Sequence, residues 1–276
     1  MGQVILITGC GEGMGREVAK LLASSGDTIA GFDVDEKSIS SLANELRGGP
    51  GEHLLMPLDI KDRQGILAFK DAVIEKYGRV DTVLSNVGIG FFGPFEEIDL
   101  DKALACFEIN VIGAAAIFQA FIPSLRAQGS GKLVAMSSLV GRIPFPFESI
   151  YTATKFAIEG MMLAMRLEVM PFGIHCAIIE PAQVSTTFAA KIHKLPPEGS
   201  PYRERARRFI AKDNVMIKTA PTPIQAARRI VKVLKAEKPP LFSQIDAQST
   251  FFLALNRWLP VRARDIILES VMDIRV

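Results

Sequence analysis

Six short apolar runs punctuate the first 181 residues: QVILIT (3–8), DTIAGFD (27–33), EHLLMPLD (52–59), DTVLSN (81–86), KLVAMSS (132–138) and IHCAIIEP (174–181). Their length and β-branched content read as strands buried on both faces. Between them, apolar residues recur every three or four positions at about 14–24, 35–47, 62–77, 99–127 and 149–172, the period of an amphipathic helix. Strands separated by helix-length segments predict βαβ units, and therefore a doubly wound parallel sheet with helices on both faces. The pattern places the chain in the α/β class, as a single Rossmann-type domain over residues 1–276. After residue 190 the texture becomes polar, basic and Pro-bearing (KIHKLPPEGSPYRERARRF), an excursion from the sheet. A capped helix follows in TPIQAARRIVKVLKAEKPP, then one short strand in PLFSQ, then two short helices over 247–274 broken at Pro260.

Composition narrows the classes without choosing among them. A hydrophobic share of 49% and a charged share of 22% are ordinary for a soluble domain with a sizeable core. The net charge of +2 argues for neither nucleic acid nor acidic partners. Cys10, Cys106 and Cys176 give no disulfide framework and no metal-ligand spacing, which suits a reducing, cytoplasmic compartment. No uninterrupted apolar span reaches the ~20 residues of a membrane helix, and the N-terminus lacks the basic start of a signal peptide.

The first strand runs straight into TGCGEGMGR, with glycines at 9, 11, 13 and 15 before the first helix. A Gly-rich turn between strand and helix lets backbone amides approach a dinucleotide pyrophosphate, and the helix N-terminus favours the anion. The spacing is Thr8-Gly9-x-x-x-Gly13-x-Gly15, so Gly9, Glu12, Gly13, Met14 and Gly15 are the candidate phosphate-loop residues. Asp33 closes the second strand twenty residues beyond Gly13. A carboxylate there accepts from an adenosine ribose and repels a 2′-phosphate, and Glu12 adds a second negative charge. NAD is expected over NADP. Arg16, the one nearby cation, should point to the pyrophosphate side.

One segment carries a different chemistry. In GRIPFPFESIYTATKFA, Tyr151 and Lys155 stand four apart on a predicted helix, one turn from each other on one face, with Ser138 thirteen residues back. A tyrosine and a lysine can lie side by side for no chemical reason, so the pair gains meaning only beside the cofactor loop. A tyrosine that exchanges a proton near neutral pH must leave its ordinary value of about 10, and a lowering of ~3 units needs about 4 kcal/mol. One ammonium about 4 Å away supplies roughly that at an effective dielectric near 20. Lys155 is placed for the task, and Ser138 can hold the substrate oxygen.

Taken together, Thr8–Gly15 and the Ser138…Tyr151-x-x-x-Lys155 spacing resemble the short-chain dehydrogenase/reductase family over about residues 3–190. The resemblance implies further roles. Asn110 in FEINVIG matches the family's catalytic asparagine, expected to order water beside Lys155. Asp59 with Ile60 follows the third strand, where the family contacts adenine. Asn86 and Gly88 stand in SNVG, where the family usually has Asn-Asn-Ala-Gly. Pro181, Val184 and Thr186 match the stretch that holds the carboxamide end of the cofactor. Ser85, Val87 and Ala182 depart from the usual residues, and none of them removes a proton-transfer group. By the same resemblance, Tyr151 and Lys155 also touch the cofactor.

What the resemblance implies is an NAD(H)-dependent oxidoreductase that interconverts a secondary alcohol and a ketone. Two other classes remain to be weighed: a dinucleotide sensor that turns nothing over, and a nucleotide-sugar epimerase or dehydratase. Sensors usually lack the tyrosine or the lysine. The epimerases are longer and start with a different glycine spacing. Phe145 in LVGRIPFPFES, the phenylalanines of GIGFFGPF and Phe188 suggest a large apolar substrate (steroid-, retinoid- or aryl-like), although such rings also pack cores. Ser138, Phe145, Tyr151 and Phe188 are therefore the candidate substrate contacts, under a lid expected over 188–216. Arg203, Arg205, Arg207 and Arg208 read as a solvated helix face rather than an anion site. The tail at 247–276 reads as packed, as a subunit contact or as a membrane-surface helix. Apolar residues around much of the helices at 99–127 and 149–172 predict a homodimer or homotetramer.

Overall fold

The computed structural model describes residues 2–185, 188 and 194–275. Thr186 and the stretch 189–193 of the expected lid lie outside the described residues. The apolar runs form strands β1 (Val4–Thr8), β2 (Thr28–Asp33), β3 (Leu54–Pro57), β4 (Thr82–Ser85), β5 (Gly131–Met136), β6 (Ile174–Ile179) and β7 (Phe242–Ser243). All neighbours pair in parallel, in the order β3-β2-β1-β4-β5-β6-β7. The order reverses between β1 and β4, and beyond the carboxyl ends of those strands lies the crevice in which doubly wound sheets bind ligands.

Helices α1 (Gly13–Ser24), α2 (Glu36–Leu46) and α3 (Arg63–Tyr77) return the chain between the first strands. Each boundary has a local cause. The Asp35 carboxylate accepts from Lys37 N–H and that of Asp62 from Gly65 N–H, satisfying first-turn amides. Gly78 ends α3 in the left-handed conformation. The expected long helix at 99–127 occurs as α4 (Leu100–Phe107), a π-helical turn at Glu108–Ile112 and α5 (Gly113–Gln128). By length and composition the stretch Leu100–Gln128 could cross a membrane, which the apolar runs had not suggested. In the fold its second half packs into the core, with Ile117, Phe118, Phe121 and Leu125 buried against the sheet, and 44% of the apolar window is buried. The π turn, a feature common at functional sites, falls on Asn110.

After α6 (Ser149–Val169), the excursion from the sheet is helix α7 (Arg203–Thr219), followed by α8 (Pro223–Lys235) with a Thr222/Gln225 capping box. The tail forms α9 (Ala247–Asn256) and α10 (Val261–Val271), broken at Pro260 as the sequence predicts.

One core lies on each face of the sheet, and a third, smaller one lies off it. In this third cluster Phe147, Ala206, Phe209, Met272 and Ile274 are buried, with Phe92, Phe145, Met216 and Leu268 packed against them. It joins the loop after β4, the loop after β5, α7 and the chain's end. The arginines of α7 follow from this. Arg205 donates to Ile274 O at 3.0 Å and Arg208 lies 3.5 Å from Asp273, so two of them fasten the tail while Arg207 pairs with Glu204 in solvent.

Candidate active site

The Gly-rich turn is built for close approach. Gly9 has φ 66°, a conformation that glycine adopts without steric cost. At Gly15 a Cβ would lie 2.2 Å from Gly9 O and 2.6 Å from Asn86 Nδ2, so only glycine lets α1 start this near the loop. Thr8 and Asn86 lock the turn to the end of β4: Asn86 N–H and Val87 N–H donate to Thr8 Oγ1 at 3.0 and 3.1 Å, and Asn86 Nδ2 donates to Thr8 O and Gly9 O. Replacing the family's usual Asn-Asn-Ala-Gly by Ser85-Asn86-Val87-Gly88 leaves these bonds intact.

A cleft of about 580 Å³ opens above this turn. Gly9, Glu12, Gly13, Met14, Asp33, Asp59, Ile60, Asn86 and Gly88 line one half, and Ser138, Phe145, Tyr151, Lys155, Pro181, Val184 and Phe188 line the other. The structure thus brings together sixteen of the residues singled out in the sequence. Gly15 and Asn110 stand behind the wall, and Thr186 lies outside the described residues.

At the adenosine end Asp33 accepts from Gly11 N–H at 3.0 Å and from Asp35 N–H at 3.1 Å, which fixes its carboxylate on the cleft wall. Arg16 takes another direction from the expected one. It does not face the pyrophosphate side. It donates to Gly11 O (2.9 Å), Ser38 O (3.1 Å) and Ser41 Oγ (2.9 Å) and pairs with Glu45, because its long side chain reaches the acidic face of α2. Among the described residues the cations on the cleft wall are Lys155 and Lys61, and Lys61 sits 3.7 Å from Asp59.

At the other end, β5 delivers Ser138 and α6 delivers Tyr151 and Lys155. Ser138 Oγ donates to Pro181 O at 3.4 Å and accepts from Val140 N–H at 3.3 Å. The Lys155 ammonium donates to Met136 O at 2.8 Å and lies 5.5 Å from the centroid of the Tyr151 ring. Asn110 donates from Nδ2 to Ile89 O (2.9 Å) and Thr154 Oγ1 (3.0 Å) and accepts from Ile89 N–H (2.8 Å). A Cβ placed on Gly88 would lie 3.5 Å from both Asn110 Oδ1 and Lys155 Nζ, so those two groups converge there.

The electrostatics correct one expectation. Burial raises the Tyr151 phenol above its ordinary value, and the Glu148 carboxyl adds to the rise; a hydrogen bond with Ser138 opposes it. Burial also draws Lys155 down to about 8. The lysine therefore does not lower the phenol as its spacing suggests. It is turned to a backbone carbonyl, and the dry site outweighs it. With the protein's own groups, Tyr151 is a phenol at neutral pH and can donate a proton to a carbonyl oxygen.

Two further groups on the cleft wall went unrecognised in the sequence. Glu148, three residues before Tyr151, is 7% exposed and pushed up to about 8, by burial first and by Asp213 second. Asp213 of α7 is 1% exposed, accepts from Gln183 Nε2 and is raised to about 6 by burial. A lone acid inside the Pro/Phe-rich stretch PFPFES was the available signal for the first. The second could not be found without the packing of α7 over the cleft. The ring of Phe188 lies 5.8 Å from that of Tyr151. Phe145 lines the cleft and touches the third core, whereas Phe147 belongs to that core. Among the described residues no group of acidic, His or Cys side chains could hold a metal ion.

Residues 3–196 match the family of short chain dehydrogenases. The chain belongs to that family. It is an oxidoreductase of the short-chain dehydrogenase/reductase type, whose members bind a nicotinamide dinucleotide. Among curated relatives, it is 33% identical over 252 residues to 17-beta-hydroxysteroid dehydrogenase type 1 of Homo sapiens, an alignment covering 86% of this chain and 76% of that one. It is 35% identical over 206 residues to estradiol 17-beta-dehydrogenase 1 of Rattus norvegicus, covering 72% of this chain and 57% of that one. A solved short-chain dehydrogenase from Streptomyces avermitilis superposes with a TM-score of 0.82 at 30% identity, over 98% of this chain and 97% of that one. The family match ends near residue 196, so α7 and the tail, which close the substrate half, lie beyond it.

Proposed function

We propose that this member of the family is an NAD(H)-dependent oxidoreductase that interconverts a bulky, largely apolar secondary alcohol and its ketone, with Tyr151 as the general acid and base. The observation that carries the reading is one cleft holding the glycine turn, the acids Glu12 and Asp33, and the Ser138, Tyr151, Lys155 group. The turn fits a dinucleotide: Gly9 and Gly13 line the cleft without side chains, and α1 begins there. Gly9, Glu12, Gly13, Met14 and Asn86 would hold the pyrophosphate side, Asp33 the ribose, Asp59 and Ile60 the adenine, and Gly88, Pro181 and Val184 the nicotinamide side. When bound, the dinucleotide exchanges a hydride with the carbinol carbon, and its oxidised ring carries a positive charge.

Tyr151 gives its proton to the carbonyl oxygen in reduction; in oxidation its phenolate, favoured once the positively charged oxidised ring is beside it, would take the proton from the hydroxyl. Ser138, beside it, orients that oxygen. Lys155 supplies a positive charge behind the phenol, and Asn110 holds the loop at Ile89 against α6 through Thr154. NAD is favoured over NADP because Glu12 and Asp33 both line the wall while Arg16 is committed to α2, and because Lys61 is paired with Asp59. The apolar walls, from Phe145, Phe188, Met216, Ile89 and Leu139, suit a large skeleton better than a polyol. Relatives named for hydroxysteroids and estradiol point the same way. Exposed Leu100, Leu104 and Ile112, with Phe156, Leu163 and Leu167 of α6, support a subunit contact through those helices. Light scattering at micromolar concentration should then give a dimer or tetramer.

Absorbance at 340 nm, with NAD or NADP and a panel of steroid, aryl and polyol secondary alcohols, tests the reading. NADH formation with steroid or aryl alcohols is expected. Oxidation of polyols alone would overturn the substrate class, and no oxidation of any member would overturn the activity.

A further inference from the structure

We propose that the substrate carries an unbranched alkyl arm, whose end enters a narrow apolar slot between α7 and the tail helices α9 and α10. The inference rests on the oxidoreductase reading above and narrows its substrate class to alcohols with a slender aliphatic arm. Beside the substrate half of the cleft lies a second cavity, of about 30 Å³. Phe252 and Leu255 of α9, Leu259 after it, and Ile267 and Leu268 of α10 form most of its wall. Phe145 and Met216 line both this cavity and the cleft, so the two share a partition. The Phe145 ring stands edge-on to Phe209, with centroids 6.4 Å apart, against the third core. Met216 is unbranched and adapts its shape readily, which makes it the part of the partition that can yield.

The tail is fastened so that the slot keeps its place relative to the reacting groups. Asp246, 3% exposed, caps α9 by accepting from Ser249 N–H, and its other carboxylate oxygen accepts from Ala182 N–H at 2.9 Å. Ala182 lines the cleft next to Pro181, whose carbonyl accepts from Ser138 Oγ. At the far end of the tail, Met272 and Ile274 are buried in the third core.

Lining and width determine what fits. The two polar residues of the wall are engaged elsewhere: Asn256 Nδ2 donates to Arg142 O at 3.5 Å, and the Arg264 guanidinium pairs with Asp265 at 3.2 Å. The remaining lining is hydrocarbon, so nothing in it replaces the hydrogen bonds of a water, a hydroxyl or an amide. A water-sized group needs about 10–15 Å³ of such space, so the slot has room for roughly two or three methylenes in file and for no ring. An apolar void in a distant core would carry no such reading, but this one shares two side chains with the substrate half of the cleft.

The test uses 1-phenylalkan-1-ols with linear arms from methyl to decyl, at saturating NAD. In the unmodified protein kcat/KM should rise by about fourfold per carbon as the arm fills the slot, the gain from burying a methylene, and then stop rising. Arms that end in a tert-butyl group should miss this last gain, roughly 15–60-fold over the length of the slot. Leu255→Phe narrows the slot and should move the break to arms shorter by about two carbons, whereas Leu255→Ala should move it to longer arms. Leu259→Phe repeats the shortening from another part of the wall, should Leu255→Phe fail to fold. The shortest arms should react alike in all of these proteins. A break at one length in every variant, or equal acceptance of linear and tert-butyl ends, overturns the slot. Calorimetric titration of the NADH complex with the same series separates the two readings. If no member is oxidised, the oxidoreductase reading fails, while affinity that follows arm length and shifts in Leu255→Phe still upholds the slot. Affinity independent of arm length overturns it.

Discussion

In the cofactor half of the cleft the working surface is mostly backbone and strand ends. Gly9, Gly13 and Gly88 expose main chain, Thr8 and Asn86 tie it together, and Asp33 is held by two backbone amides. In the substrate half the surface is made of side chains from four distant segments: Ile89 after β4, Phe145 and Glu148 after β5, Phe188, and Asp213 with Met216 on α7. The first half is drawn from residues 8–88, most of it between Thr8 and Asp33, so it depends less on the rest of the chain. The second depends on a separate small core, that of Phe147, Phe209, Met272 and Ile274, which brings the chain's end against the loop preceding Tyr151. Damage to that core should therefore appear in substrate constants before it appears in cofactor constants.

The largest effect should come where the halves meet. Tyr151→Phe keeps the ring and removes the transferable proton, so kcat should fall by about 10²–10⁴-fold, the usual range for a general acid, with NADH affinity nearly unchanged. Wild-type turnover in this variant would remove Tyr151 from the chemistry. Next is the small core. Phe209→Ala empties a fully buried site that touches three other rings and should cost about 3–5 kcal/mol of stability. Calorimetry and steady-state kinetics should show a lower Tm and a raised KM for the alcohol with little change in NADH affinity. Equal losses in both constants would mean that the halves are not separable.

The contrast also explains what was legible in the sequence. Every strand from β1 to β7 was visible as an apolar run, because a parallel sheet covered on both faces leaves no alternation to misread. The glycine turn, Asp33, Ser138, Tyr151 and Lys155 were visible because their chemistry depends on local spacing. Arg16 was misplaced because its partners, Ser38, Ser41 and Glu45, come from the next helix. Spacing also suggested that Lys155 lowers the Tyr151 phenol, but it says nothing about burial or about Met136 O, which holds the ammonium. Glu148 and Asp213 were missed for the same reason, since 65 positions separate them and only the packing of α7 brings both to the cleft wall.

Smaller effects sharpen the picture further. Replacing Asp33 by Ser and Glu12 by Arg removes two negative charges and supplies a phosphate partner, so the ratio of NAD to NADP in kcat/KM should narrow by at least about 100-fold, or ~2.8 kcal/mol. An unchanged ratio would dissociate cofactor choice from these acids. The pH dependence of stability is the mildest test. Glu148 and Glu159 are raised to about 8 and Asp213 to about 6, chiefly by burial. Groups whose folded values lie above their unfolded ones bind more protons in the folded state, so the stability they contribute is complete below about 4.5 and is lost as pH rises to about 8. Lys155, lowered to about 8, acts in the opposite direction above that pH. Thermal melts should therefore show Tm falling from pH 5 to 8, with a shallower slope in Glu148→Gln; equal slopes would place the Glu148 carboxyl in a wetter setting than the fold gives it.

The central claim is that the charges at the adenosine end select NAD, and it can be tested without knowing the substrate. Titrating the unmodified protein with NADH and with NADPH, followed by nicotinamide fluorescence, gives both dissociation constants directly. A 2′-phosphate beside Glu12 and Asp33 is a like-charge contact costing several kcal/mol, so NADH should bind at least about 100-fold more tightly. Equal affinities, or tighter binding of NADPH, would contradict the account.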